Sequence, residues 1–221
     1  MSFLDRTEAG RMLGEALQEK YAGVPVVVFA LPRGGLPIAV QVAKALQAPL
    51  DLALVRKISV PYYPELAMGA VIDGPTPTIV RNEEVIRGAG ITETLFRKCC
   101  QRELEEIRRR RRLYLGDRPD RNLEGKTVVV VDDGLATGAT ARAAVNGLRK
   151  RHPRKVVLAV PVASVDVLDV VRKEADAVIC LEVPADFHAV GQHYRHFPQL
   201  SDQDVLDALD EVNNASGTGP S

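Results

Sequence analysis

The chain has 221 residues, 46% of them hydrophobic and 26% charged, which is enough for one sizeable core, and one α/β domain is the simplest count. Lysine plus arginine and aspartate plus glutamate each number 29, so no global field draws the chain to nucleic acid or to a membrane surface. No apolar run is long enough for a bilayer, Met1–Asp5 lacks the features of a secretory leader, and Cys99, Cys100 and Cys180 have no metal-ligand spacing, so a reducing, cytoplasmic setting is expected.

In chain order, Asp5 and Glu8 make a capping-box-like start to a helix whose apolar face is Ala9, Met12, Leu13, Ala16 and Leu17. Val26–Leu31 is an apolar strand, Pro32-Arg33-Gly34-Gly35 a turn, and Leu36–Leu46 a helix. Leu52–Val55 reads as a strand ending in Arg56-Lys57, and Ile58–Met68, with Pro61 and Pro64 around Tyr62-Tyr63, as an exposed loop. A further strand is expected near Ala67–Ile72. Thr92 is placed to cap a long helix that runs to about Leu115 and stops at Gly116. Val128–Val131 is the next strand, followed by a helix that buries Ala141, Ala144, Val145 and Leu148. Strand Val156–Val160, a helix from Ser164 to Glu174 and strand Ala177–Leu181 complete the pattern. Such alternation predicts a single-domain, doubly wound, mainly parallel sheet over residues 1–212, with Asn213–Ser221 as a disordered tail.

The chemistry concentrates after the Val128 strand. Asp132 and Asp133 are adjacent carboxylates, and Gly134 and Gly138 allow a tight loop carrying Thr137 and Thr140 into a helix that opens at Ala139. Backbone N–H groups at such a helix start suit a phosphate, whereas two aspartates repel one and suit a polyol or a divalent cation. A phosphate and a diol side by side describe a sugar phosphate. The turn after Val26–Leu31 repeats the design with a cation, since Arg33 can grip phosphate oxygens in bidentate fashion beside Gly34 and Gly35. Two anion loops at two parallel strand ends are expected to flank one crevice.

Val128–Thr140 resembles the phosphoribosyl-pyrophosphate (PRPP) signature of type I phosphoribosyltransferases. The resemblance implies that Asp132 and Asp133 hold the ribose and that Ala136, Thr137, Gly138, Ala139 and Thr140 wrap the 5′-phosphate. Pro32–Gly35 is similar to the family's pyrophosphate loop, which often has a non-proline cis peptide, and Arg56-Lys57 resembles a basic dipeptide that some members place against the diphosphate. Pro64–Val71 looks like a stretch of an uncharacterised subgroup of predicted phosphoribosyltransferases, and the fit to that subgroup runs from Arg6 to Val205. The resemblance implies a Rossmann-like glycosyltransferase of nucleotide metabolism that needs Mg²⁺. The metal is carried mainly on the substrate, with Asp132 and Asp133 as candidate ligands. A nitrogen nucleophile, nucleobase-like, displaces pyrophosphate from C1 of PRPP. Asp132, Asp133, Arg33 and Lys57 carry the catalysis, and Arg33, Gly34, Gly35, Arg56 and Lys57 hold the leaving group. PRPP and a small-molecule acceptor are the partners, with a homodimer as candidate assembly and no membrane or nucleic acid. The alternative is a non-catalytic PRPP-sensing regulator that binds RNA, DNA or a protein.

The family closes a hood over its acceptor base near the end of the sheet. Here that region is C-terminal, and Phe187 and Tyr194, or Phe197, are its candidate stacking faces. His193 and His196 stand where related sequences carry an aromatic and an acid. His188, His193 and His196 match no zinc pattern. Arg108–Arg112 follows Glu105 and Glu106 on one helix, so i,i+4 pairs Glu105–Arg109 and Glu106–Arg110 predict a solvated face rather than a nucleic-acid site. Ala136 occupies the position where members acting on 6-oxopurines carry an aspartate.

Overall fold

The computed structural model describes residues 2–215. Its first elements are α1 (Arg6–Tyr21), β1 (Val26–Ala30), α2 (Gly35–Leu46), β2 (Leu50–Leu52), β3 (Val55–Val60), β4 (Tyr63–Ile72), β5 (Thr78–Arg81) and α3 (Glu83–Gly88). There follow α4 (Glu93–Leu115), β6 (Thr127–Val131), α5 (Ala139–Arg149), β7 (Lys155–Val162), α6 (Val165–Val171), β8 (Ala177–Glu182), a 3₁₀ turn (Val190–His193) and α7 (Asp202–Ala215). They gather into two compact units, one formed by the chain up to Ala53 and from Leu123 on, the other by Leu54–Asn122. Among the described residues no helix is long and apolar enough to cross a membrane.

The larger unit is built on a parallel sheet in the order β2-β1-β6-β7-β8. β1 and β6 are buried along their whole length, as unbroken valine runs covered on both faces must be. From β1 the chain winds outward to β2, and from β6 it winds the other way to β7 and β8, so the order reverses between β1 and β6. The carboxyl ends of those two strands open a crevice there. Ala141, Ala144, Val145 and Leu148 of α5 are buried as the spacing predicts.

α1 keeps Ala9, Leu13 and Leu17 inside, but Met12 is exposed, and the buried face continues instead through Gly10 and Gly14. A Cβ at Gly10 would lie 2.9 Å from the Ile38 Cα, and one at Gly14 2.9 Å from the Ala45 Cβ. Backbone contact with α2 therefore needs glycine at both positions. The chain's two ends are stitched together: Phe3 N–H donates to the His193 carbonyl (2.8 Å), Arg195 N–H to Phe3 (2.8 Å) and His196 N–H to Leu4 (2.9 Å). Phe3, Ala9, Val162 and Tyr194 form the small core under this seam, with Phe187, Val190 and Phe197 packed against it. α7 extends to Ala215, three residues into the expected tail, and residues 216–221 lie outside the described residues.

The smaller unit is an antiparallel sheet, β3-β4-β5, packed with α3 and α4 around Ile58, Met68, Val71, Phe96 and Ile107. Here two expectations fail. The stretch read as one strand, Leu52–Val55, divides: β2 ends at Leu52 and β3 starts at Val55. The stretch Ile58–Met68 is not a loop but the turn of a β3–β4 hairpin. Val60 pairs with Tyr63 and Ser59 with Ala67, so Pro64, Glu65 and Leu66 bulge out of register. That is why a proline is tolerated in β4. Cys99 and Cys100 are buried in this unit's core, and burial raises the Cys100 thiol, the opposite of what a reactive thiolate requires.

α4 behaves as predicted at both ends: the Thr92 hydroxyl accepts from Leu95 N–H, and Gly116 closes it at φ 56°. Its arginine run is engaged differently from the expected ladder. Glu106 holds both Arg109 and Arg110 at 2.8 Å, while Glu105 accepts from Gln101. Arg111 reaches Asp73 at 2.6 Å and Asp120 at 3.3 Å.

Candidate functional site

Two loops at the β1 and β6 ends define the site. Leu31 N–H donates to the Val131 carbonyl at 2.9 Å, and the Pro32–Arg33 peptide that follows is cis. A Cβ at Gly35 would fall 2.6 Å from the Val131 carbonyl oxygen, and one at Gly34 2.0 Å from Asp133 Oδ2. The glycines predicted to approach a ligand thus first let the turn lie directly on the acid pair. Beyond β6, Gly134 is buried, Gly138 takes φ 69°, and Ala136, Thr137, Ala139 and Thr140 are exposed around the start of α5. The helices α1, α3, α4 and α6 open under side-chain caps from Asp5, Asn82, Thr92 and Ser164. α2 and α5, which follow the two loops, open under glycine with no side-chain cap. Their first N–H groups and positive dipole ends therefore face the crevice ready for anions.

Between the two helix starts sits the acid pair. Asp132 Oδ1 accepts the Asp133 N–H at 2.9 Å. Burial, then the charge of Asp133, holds the Asp132 carboxyl well above the usual carboxylate range. Asp133 is also raised by burial, against the opposing pull of Arg6. Arg6 donates from Nε and Nη2 to Asp133 Oδ2, both at 3.0 Å, and from Nη1 to the Pro198 carbonyl at 2.9 Å. Its guanidinium lies 3.7 Å from the centre of the Phe197 ring. Sequence reasoning missed Arg6. A signal was present: a cation in the first turn of a helix opposes the dipole, and Arg6 shares the spacing of the buried Ala9 and Leu13.

A cavity of about 280 Å³ opens here, lined by Arg6, Arg33, Gly34, Asp133, Phe197, Pro198, Gln199 and Leu200. Arg33 is partly exposed on its wall, with Nη1 3.8 Å from Asp202 at the start of α7. Tyr194 does not offer an open ring face: its hydroxyl donates to the Asp133 carbonyl at 2.6 Å, and its ring packs on Phe3 and Phe197. Phe187 stacks on His193 with centroids 5.5 Å apart, and His188 pairs with Asp186 at 2.9 Å. Arg56 and Lys57 are not at the end of a parallel strand; they lie inside β3 of the smaller unit, opposite Val71 and Ala70. There Arg56 Nε binds the buried Glu103 at 2.9 Å, and Lys57 is exposed.

A family model described as the phosphoribosyl transferase domain matches residues 5–196. The chain belongs to that family. Two Mycobacterium tuberculosis proteins named as candidate phosphoribosyl transferases, Rv0571c of strain H37Rv and MT0597 of strain CDC 1551, are each 45% identical over 211 residues. That alignment covers 96% of this chain and 47% of each relative, so this phosphoribosyl transferase domain spans about half the length of the curated relatives it matches. The crystal structure of TT1426 from Thermus thermophilus superposes with a TM-score of 0.82 at 39% identity, covering 96% of this chain and 99% of that one. AQ2163 from Aquifex aeolicus, at 15% identity, shares the fold with a TM-score of 0.50 over 80% of this chain and 74% of its own. The doubly wound sheet expected from the sequence is thus the phosphoribosyl transferase fold, and its crevice is where the acid pair and both loops meet.

Proposed function

We propose that the crevice binds PRPP and transfers its 5-phosphoribosyl group to a nitrogen nucleophile of nucleobase type, releasing pyrophosphate. The reading is carried by the pair of uncapped helix starts, α2 and α5, with the buried acids between them at the point where the strand order reverses. The α5 start and Ala136–Thr140 take the 5′-phosphate. Arg33 and the turn at Gly34 and Gly35 take the diphosphate. The acid pair takes the ribose diol.

Displacement at C1 passes through a ribosyl cation, so the site must stabilise positive charge on the sugar and negative charge on the departing diphosphate. Carboxylates beside the ribose favour the first, and Arg33 with the α2 N–H groups favours the second. The donor set fits Mg²⁺: hard carboxylate oxygens flank a place for ligand oxygens, which suits an ion held by one or two carboxylates plus substrate phosphates. When bound, the metal would neutralise diphosphate charge. The Asp pair would hold it on the ribose side.

A PRPP-sensing regulator is the alternative, and the arginine run is the feature that favours it. Three of its side chains, Arg109, Arg110 and Arg111, are engaged with acids of their own unit, which supports the enzyme reading. Calorimetric titration with Mg·PRPP tests the binding half. Wild-type protein should bind, and folded Asp132→Asn/Asp133→Asn protein should lose about a hundredfold or more, since charged hydrogen bonds contribute about 1.5–3 kcal/mol each. Equal affinity in both proteins refutes the site.

A further inference from the structure

Arg6 has no local reason to be where it is. It occupies the first turn of α1, at the positive end of the helix dipole, with 9% of its side chain exposed. Its nitrogens are committed to Asp133 and to the Pro198 carbonyl, and its face to the Phe197 ring. Asp133 is engaged on every side that can be named. Oδ2 takes two hydrogen bonds from Arg6, the main-chain carbonyl takes the Tyr194 hydroxyl, and the carboxyl group rests on Gly34, where a methyl group would overlap it. Asp132 is held differently, by a main-chain N–H from its neighbour. Two adjacent aspartates that read alike in sequence thus have unlike surroundings.

Building on the function proposed above, we propose that the acids divide the work: Asp132 meets the ribose diol, and Asp133, clamped by Arg6, is a positioning residue. It fixes the Pro32–Gly35 turn on one side and the Phe197–Leu200 segment on the other, both of which line the cavity. Arg6 also cancels the Asp133 charge that would otherwise face an incoming anionic ligand. Removing Arg6 alone leaves a buried carboxylate unpaired, which is worse than removing both partners. The sign of the coupling is therefore set. Loss of Arg6 should be repaired by neutralising Asp133 and not by neutralising Asp132.

The test is a set of calorimetric titrations with Mg·PRPP and with ribose 5-phosphate on wild-type protein, Arg6→Gln, Arg6→Lys, Asp132→Asn, Asp133→Asn and the two double variants. Arg6→Gln should weaken Mg·PRPP by about a hundredfold, and Arg6→Gln/Asp133→Asn should recover to within about tenfold of wild type. Arg6→Lys, which keeps the charge but not the fork, should fall between. Asp132→Asn should stay weak with or without Arg6→Gln, for both ligands. Equal losses for Asp132→Asn and Asp133→Asn, with no recovery in the double variant, would overturn the division. Should Arg6→Gln fail to fold, the comparison of the two aspartate variants decides alone: a larger loss at Asp132 supports the proposal and an equal one refutes it. Wild-type protein that fails to bind Mg·PRPP would instead remove the functional reading beneath it, an outcome distinct from tight binding that both acids serve equally.

Discussion

Gly34→Ala is the smallest change that should disable this site. Gly34 sits at φ −61°, where alanine is fully at ease, so any effect must come from the added methyl group. That carbon would be 2.0 Å from Asp133 Oδ2 and 2.6 Å from its Cγ, whereas real Cβ atoms almost never approach within 3.0 Å. The carboxylate must retreat by about an ångström, enough to break both 3.0 Å hydrogen bonds from Arg6, or the Pro32–Gly35 turn must lift away. Overpacking costs about 1–3 kcal/mol, and the charged hydrogen bond lost with it about 1.5–3, so urea unfolding should show a destabilisation of about 3–5 kcal/mol. Because turn and acid move together, Mg·PRPP affinity should fall by about a hundredfold in the same protein. Gly88→Ala is the matched control: it lies in α3 with nothing within 4 Å of the new carbon, and should be neutral or slightly stabilising. A Gly34→Ala protein with wild-type stability and affinity would refute the packing argument and the placement of the turn against the acids.

Arg33→Ala should weaken pyrophosphate and PRPP by about tenfold or more while sparing ribose 5-phosphate, and withdrawal of Mg²⁺ should show the same selectivity. Equal losses for all three ligands in calorimetry would mean the crevice has been oriented backwards. Hypoxanthine and guanine should be poor acceptors, because Ala136 supplies no side-chain group to meet a purine N7 proton. Efficient inosine or guanosine monophosphate formation from PRPP would contradict this. Glu106, whose carboxyl Arg109 and Arg110 pull from 4.5 to about 2, contributes stability that is complete above pH 4.5 and lost as pH falls toward 2. Its partners are partly solvated, so Glu106→Gln should cost about 1 kcal/mol at pH 7, with the gap narrowing below pH 4.5 in acid-titrated melts. A gap that is constant with pH would contradict the pairing.

The larger unit was legible because its elements are governed by local pattern. Unbroken valine runs read as buried parallel strands, and Thr92, Ser164 and Gly116 marked helix ends where the structure has them. The smaller unit was obscured by tertiary effects. β4 is exposed over Tyr63–Leu66 and so shows no alternation, and Pro64 reads as a strand breaker unless the bulge opposite Ser59 is known. Of the site, Asp132, Asp133, Arg33 and the two glycines were readable because loops after buried strands leave a local signature. Arg6 and the Phe197–Leu200 wall were not, since the contacts that bring them to Asp133 span 127 residues for Arg6 and depend on the seam between the chain's two ends. Tyr194 read as an acceptor platform for the same reason: nothing in its neighbours announces that Phe3 will cover it.

Pyrophosphate release is the measurement that meets the central claim most directly. Purified protein, PRPP and Mg²⁺ are combined with a panel of nucleobases and other nitrogen nucleophiles, and released pyrophosphate is followed alongside the new N-glycosidic product by mass. The account predicts acceptor-dependent release that vanishes in Asp132→Asn and without Mg²⁺. Tight PRPP binding with no release for any acceptor, together with salt-dependent binding to an oligonucleotide, would contradict it in favour of a PRPP-sensing regulator.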